Sequence, residues 1–132
     1  MAQPSEFQPM EESITQEKIN LYAELSGDHN PLHVDLEAAA ASEFGGTIAH
    51  GPISVQPCFR SLAGWLDEEA LPAGTTISVT YRHPVRPGDR VRFEVSAVER
   101  DPNDVLAVDG QCMNQDGTPV ASVAVQLPSP TS

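Results

Sequence analysis

Lysine is almost missing from this chain: of seven basic residues only Lys18 is one, against nineteen acidic residues, for a formal charge of -12. A field of that sign argues against nucleic acid or an anionic membrane as the main partner. Cysteine is scarce too. Cys58 and Cys112 have no metal-like spacing and are too few for a disulfide framework. Both fall within apolar patterns, so buried free thiols are expected. No apolar run reaches membrane-spanning length, and "MAQPSEFQPMEES" lacks a basic n-region or an apolar h-region. These absences lead to the expectation of a soluble, cytoplasmic protein. The acidic, lysine-poor composition suits a high-salt cytoplasm, and a GC-rich genome accounts equally well for the missing lysines.

What is present is periodic. At 132 residues and 39% apolar content there is room for one core, so residues 1–132 are read as a single domain. Residues 1–13 form an arm or an edge strand, and 128–132 a loose tail. A first helix is expected from Thr15 to Ser26, capped by Ser13 or Thr15 and stopped by Gly27. A short helix runs through "LEAAAAS", and a longer, nearly all-apolar one from Pro52 to Leu66. Pro52 suits a first helical turn, whereas Pro57 lies deeper and should kink or loosen that helix. Beyond "LPAG" the period becomes two. Ile77, Val79 and Tyr81 alternate with polar positions, as do Val91, Phe93 and Val95, then Leu106, Val108, Gly110 and Cys112, then Ala121, Val123, Val125 and Leu127. "PGD" at 87–89 and "QDG" at 115–117 supply turns. Asp67-Glu68-Glu69 reads as a solvated loop. A curved antiparallel sheet wrapped around the apolar helix is the α+β architecture that buries it.

The stretch "LSGDHNPLHVD", Leu25 to Asp35, carries the densest chemistry. His29 and His33 are four apart, a helical metal spacing, but Pro31 pushes the residue before it toward extended geometry and no third ligand is near in sequence. A polar interhelix turn is a second reading, with Asp28 and Asn30 making Asx-turns. A third is acid/base chemistry. Asn30-Pro31 fixes a rigid turn from which Asp28 and His33 can project toward one water. His50-Gly51, just before the apolar helix, adds a backbone N–H next to a helix N-terminus, where a substrate carbonyl can be polarised.

These residues carry a family resemblance. "YAELSGDHNPLHVD" followed by "FGGTIAHGPIS", and later "HPVRPGDRV", resembles the signature of MaoC-like hydratases, including R-specific enoyl-CoA hydratases. The similarity covers about residues 15–127. It implies a hotdog fold, usually dimeric, and the reversible syn addition of water to a trans-2-enoyl thioester to give a (3R)-3-hydroxyacyl thioester. By the resemblance Asp28 is the base toward the water, which it holds with His33. Asn30 braces the loop, and the Gly51 N–H polarises the thioester carbonyl. His50, Ser54, Arg82 and Arg86 are candidate substrate-binding residues. No metal and no resident cofactor are implied, coenzyme A entering as part of an acyl-CoA substrate. Some members place a serine on the central helix where this chain has Phe59; Ser54 and Ser61 are alternatives to it.

Arg82, Arg86, Arg90 and Arg92 are four of the seven basic residues, clustered in "YRHPVRPGDRVRF". They suit the phosphates of coenzyme A, or line a solvated strand and pair with acids such as Asp89 and Glu94. Two rival functions stand beside the hydratase: a hotdog thioesterase, which leaves His33 unexplained, and a non-catalytic partner subunit, which leaves the Asp28/His33 pair unexplained. The charge yields a first prediction. Self-repulsion is screened over about 10 Å at 0.1 M salt and about 3 Å at 1 M, so stability should rise with salt. Thermal midpoints across a KCl series check it, and a flat or falling trend leaves genome composition as the account.

Overall fold

The computed structural model describes residues 3–67 and 71–128. Of the acidic run 67–69 only Asp67 is among them, exposed and closing a helix in the left-handed region at φ 56°; of the 128–132 tail only Pro128 is described, and it is half-buried beside Gly74. After a 3-10 turn at Pro4–Glu6 comes strand β1 (Met10–Ser13), where the sequence suggested an arm or edge strand. Helix α1 (Gln16–Ser26) starts where Thr15 Oγ accepts from the Lys18 N–H at 3.1 Å, a cap worth about 1 kcal/mol. It stops at Gly27, whose φ of 79° only glycine adopts without strain. Ile19 and Ala23 form its buried face.

Two short helices follow, α2 (Pro31–Val34) and α3 (Leu36–Ala40). The first is one turn that sequence periodicity did not register. Pro31 supplies the pre-set φ of its opening position, and Asn30 caps it by accepting from the Leu32 N–H at 3.0 Å. The apolar helix predicted over Pro52–Leu66 is split into α4 (Gly51–Ser54) and α5 (Gln56–Leu66), with Val55 between them at φ -106°, ψ 5°. Pro57 explains the break. A proline is tolerated only in a first helical turn, so the chain restarts its helix one residue ahead of it.

Four long-range pairings build one antiparallel sheet in the order β1-β3-β4-β5-β2, with β2 Thr76–Tyr81, β3 Arg90–Arg100, β4 Leu106–Met113 and β5 Pro119–Leu127. This is the α+β hotdog layout, with α5 lying on the β1 and β3 side of the sheet. The alternating sets named from the sequence face inward, except Tyr81 at the end of β2, which is exposed. Val91, Phe93, Val108, Cys112, Ala121 and Val125 are all essentially inaccessible, and Cys58 and Leu62 of α5 join the same core. Burying a side chain such as Leu62 stabilises the fold by about 1.5–3 kcal/mol. Cys58 and Cys112 are free, and burial pushes both thiols up to about 12, so neither is a nucleophile near neutrality.

Lys18 has a definite task. Its ammonium meets Glu12 at 2.6 Å and the Ser13 carbonyl at 2.6 Å, while Arg60 meets Glu12 at 2.7 Å. The Lys18 hydrogen bond, opposed by partial burial and aided by Arg60, holds the Glu12 carboxyl below its ordinary range. One carboxylate thereby ties β1 to α1 and to α5. A bulge between Val95 and Ala97 bends β3 nearby.

Gly110 shows how closely the sheet closes on itself. A Cβ there would fall 2.6 Å from Phe93 Cε1 and Cζ and 2.7 Å from the Glu94 carbonyl oxygen. The backbone oxygen cannot yield as a side-chain tip can. Gly110→Ala should therefore cost about 1–3 kcal/mol, the range for overpacking a well-filled core. Urea denaturation checks this by its midpoint; an unchanged midpoint would mean the sheet relaxes freely at that place.

Candidate active site

The stretch 25–35 is fixed by its own polar side chains before any partner is considered. Ser26 Oγ accepts from the Asp28 N–H at 3.2 Å, Asp28 Oδ1 accepts from the Asn30 N–H at 3.2 Å, and Asn30 Oδ1 caps α2. The expected Asx-turns are therefore present. One carboxylate oxygen of Asp28 is spent on the turn. The other, Oδ2, faces His33 Nε2 at 3.9 Å. That gap is too long for a direct hydrogen bond, yet one water can bond both atoms at about 2.8 Å each.

The tautomers follow from the acceptors. His33 Nδ1 lies 2.8 Å from the Ile48 carbonyl, which can only accept, so Nδ1 carries the proton and Nε2 presents its lone pair toward Asp28 in the neutral ring. His50 Nε2 lies 2.9 Å from the Asp28 carbonyl and donates to it by the same reasoning. Each imidazole is thus anchored on the other's loop. Their rings stack with centroids 3.8 Å apart, and Tyr22 lies against His50 at 4.7 Å. His50 is 2% exposed and its Nδ1 has no partner among the described residues. Gln16 reinforces the joint, donating to the His33 carbonyl at 2.8 Å and accepting from Thr47 Oγ1 at 2.6 Å.

Beside His33 opens a pocket of about 530 Å³, largely apolar, whose wall includes Phe44, Ile48, Gly51, Ser54, Tyr81 and Arg82. Gly51 is the first residue of α4, where an amide N–H has no acceptor within its own helix. Ser54 is buried on the same wall and donates to the Gly51 carbonyl at 2.6 Å. Ser61 is elsewhere, bonded to the Gln8 carbonyl at 2.8 Å, and Phe59 packs on the core.

The structure therefore gathers His33, Gly51, Ser54 and Arg82 at one pocket, with Asp28 beside His33 and His50 behind both. Arg82 is held at the rim by its Nε bond to Ser122 Oγ at 2.6 Å. Arg86 lies over Gly46 instead of on that wall. Arg92 pairs with Glu94 at 2.7 Å and Arg90 with Glu11 at 3.6 Å, so those two follow the ion-pair alternative. His29 faces solvent near Glu24.

Asp28, His33 and His50 also offer three donor atoms within 4.8 Å of one another. Ligands of a tetrahedral zinc, with bonds of about 2.0–2.2 Å, lie closer together than the 3.9 Å between Asp28 and His33. The donor set suits a shared water better than a small metal ion. Sequence reasoning did not assign Gln16, Tyr22, Thr47 or Tyr81 to the site. Two of them left a signal: Tyr22 as the aromatic residue that opens the quoted motif, and Tyr81 as the polar-tipped last member of an alternating strand set.

Comparison with known proteins shows the family and the fold. The family described as MaoC like domain matches residues 3–115. A stretch of 39 residues, 30% of this chain and 26% of the relative, is 62% identical to "3-hydroxyacyl-thioester dehydratase Z" of Mycobacterium tuberculosis. "3-hydroxybutyryl-CoA dehydratase" of Methylorubrum extorquens is 34% identical over 95 residues, 70% of this chain and 59% of that protein. The matches thus span about a quarter and under two thirds of those relatives. Among solved structures, the unliganded R-hydratase PhaJ1 of Pseudomonas aeruginosa superposes with a TM-score of 0.78 at 28% identity, covering 95% of this chain and 80% of its own.

Proposed function

Because the chain belongs to the MaoC-like domain family, we propose that it is an R-specific enoyl-CoA hydratase, adding water reversibly to a trans-2-enoyl thioester. The observation that carries this reading is the pair of atoms Asp28 Oδ2 and His33 Nε2, 3.9 Å apart beside the pocket that Gly51 lines. Asp28 takes a proton from the shared water as its oxygen adds to C3 of the enoyl group. The electron pair moves through C2 to the thioester oxygen, which the Gly51 N–H stabilises. The proton then passes from the pair to C2 as the carbonyl re-forms, on the face where the oxygen added. The product is a (3R)-3-hydroxyacyl thioester, and nothing is left on the protein. The reverse steps expel water.

Asn30 supports the reaction by keeping its turn closed. Arg82 at the pocket rim is placed to meet coenzyme A phosphate, its terminal nitrogens remaining after Nε is bonded to Ser122. Arg86 would serve the same anion from beyond the wall. A dimer of two such chains suits a sheet whose edge strands, β1 and β2, each pair on one side among the described residues. None of the helices described is long and apolar enough to cross a membrane.

Steady-state kinetics on crotonyl-CoA test the assignment. Asp28→Asn is nearly isosteric and removes basicity, so kcat should fall by at least ~10²-fold with the fold intact by circular dichroism. His33→Gln should do the same. The double variant should be little worse than the worse single, since groups sharing one water act as a unit. His29→Gln should cost little. If Asp28→Asn stays within a few-fold of the parent protein, the loop is only a turn and the mechanism is wrong.

A further inference from the structure

Tyr81 closes strand β2 and is 52% exposed, an unusual position for a large aromatic side chain that belongs to an inward-facing set. Its ring leans over Gly51. A Cβ built on that glycine would fall 2.6 Å from Tyr81 Cζ and 2.9 Å from its hydroxyl oxygen. Gly51 therefore has no side chain because the phenol occupies that space. The backbone beneath Tyr81 is rigid: it pairs with Ala121, and the next residue, Arg82, donates its N–H to the Val120 carbonyl at 2.9 Å. Both Tyr81 and Gly51 line the pocket beside His33.

Covalent geometry then limits how far the hydroxyl lies from the Gly51 nitrogen. The nitrogen and an ideal Cβ of one residue are about 2.5 Å apart, so the hydroxyl and the amide are at most roughly 5.4 Å apart. Two donors at that separation or less can reach one oxygen atom, each at an ordinary hydrogen-bond length of about 2.7–2.9 Å. Among the described residues the Tyr81 hydroxyl makes no hydrogen bond.

We propose that the Tyr81 hydroxyl is a second hydrogen-bond donor to the thioester oxygen addressed by the Gly51 N–H, so that β2 and α4 grip one carbonyl between them. The inference rests on the hydratase reading and deepens it. A phenol on a strand end moves little between the ground state and the transition state, which is the condition for stabilising charge as it develops. Burial, with Tyr22 and Cys112 as lesser contributors, also holds the Tyr81 pKa above its ordinary value, so the hydroxyl keeps the proton it must donate across the neutral range. The same contact explains why Gly51 excludes a larger residue: a methyl group there would push the phenol off the carbonyl site.

Tyr81→Phe tests this, because it keeps the ring over Gly51 and removes only the hydroxyl. The readouts are kcat on crotonyl-CoA and the infrared carbonyl band of bound butyryl-CoA labelled with carbon-13 at the carbonyl. Butyryl-CoA is saturated and cannot be hydrated, so its band reports the donors without turnover. Expected are a kcat loss of about 10- to 10²-fold with KM within about threefold, and a bound carbonyl band at higher frequency in Tyr81→Phe than in the parent protein. A band that the substitution does not move overturns the proposal, whatever the kinetics show. A band that moves in a protein unable to hydrate crotonyl-CoA supports the donor and sinks the hydratase reading. If butyryl-CoA does not bind at all, both fall together.

Discussion

Two imidazoles stacked at 3.8 Å hold this site together, and each is fastened to the loop that carries the other. His33 belongs to the 25–35 stretch and donates to the Ile48 carbonyl; His50 belongs to the 47–51 stretch and donates to the Asp28 carbonyl. The reciprocity matters energetically. Each such bond contributes about 0.5–1.5 kcal/mol net, and separating the loops would lose both. It matters chemically as well. The same two bonds fix both tautomers, turn the His33 Nε2 lone pair toward Asp28, and hold Asp28 by its own backbone. The two atoms of the proposed catalytic pair are thereby fixed relative to one another.

The scaffold around this brace serves it at several removes. Thr15 sets the start of α1, which presents Gln16 to the His33 carbonyl and Tyr22 to the His50 ring. Pro57 forces the helical run to break at Val55, which separates α4, with Gly51 and Ser54 at the pocket, from α5 in the core. An unbroken helix from Pro52 onward would have been the simpler way to fill the sheet. With the break at Val55, Ser54 spends its hydroxyl proton within α4, on the Gly51 carbonyl.

Legibility from the sequence divided along physical lines. The sheet was readable because alternation reports burial directly: Val91 and Phe93, Val108 and Cys112, and Val123 and Val125 are buried as their spacing required. The first helix was readable from its cap and its glycine stop. One turn at Pro31–Val34 was not, since four residues are too few to show a period. Asp28, Asn30 and His33 stood out because a Pro-fixed turn concentrates their side chains. The bracing role of His50 was hidden, because its partner is a backbone carbonyl 22 positions away that leaves no mark in residue type. The arginine cluster looked uniform in sequence and is not. Arg82 stands at the pocket just past the end of β2, while Arg92 is bound to Glu94, two positions along the same strand.

In the proposed reaction, one water held between Asp28 and His33 delivers its oxygen and its proton to the same face of the substrate. Hydration of crotonyl-CoA in deuterium oxide, with the product resolved by nuclear magnetic resonance and by configuration at C3, reads that geometry. The account predicts (3R)-3-hydroxybutyryl-CoA with a single deuteron at C2, on the face to which the oxygen added. A deuteron on the opposite face would contradict a single water shared by Asp28 and His33, and a 3S product would contradict the R-specific reading.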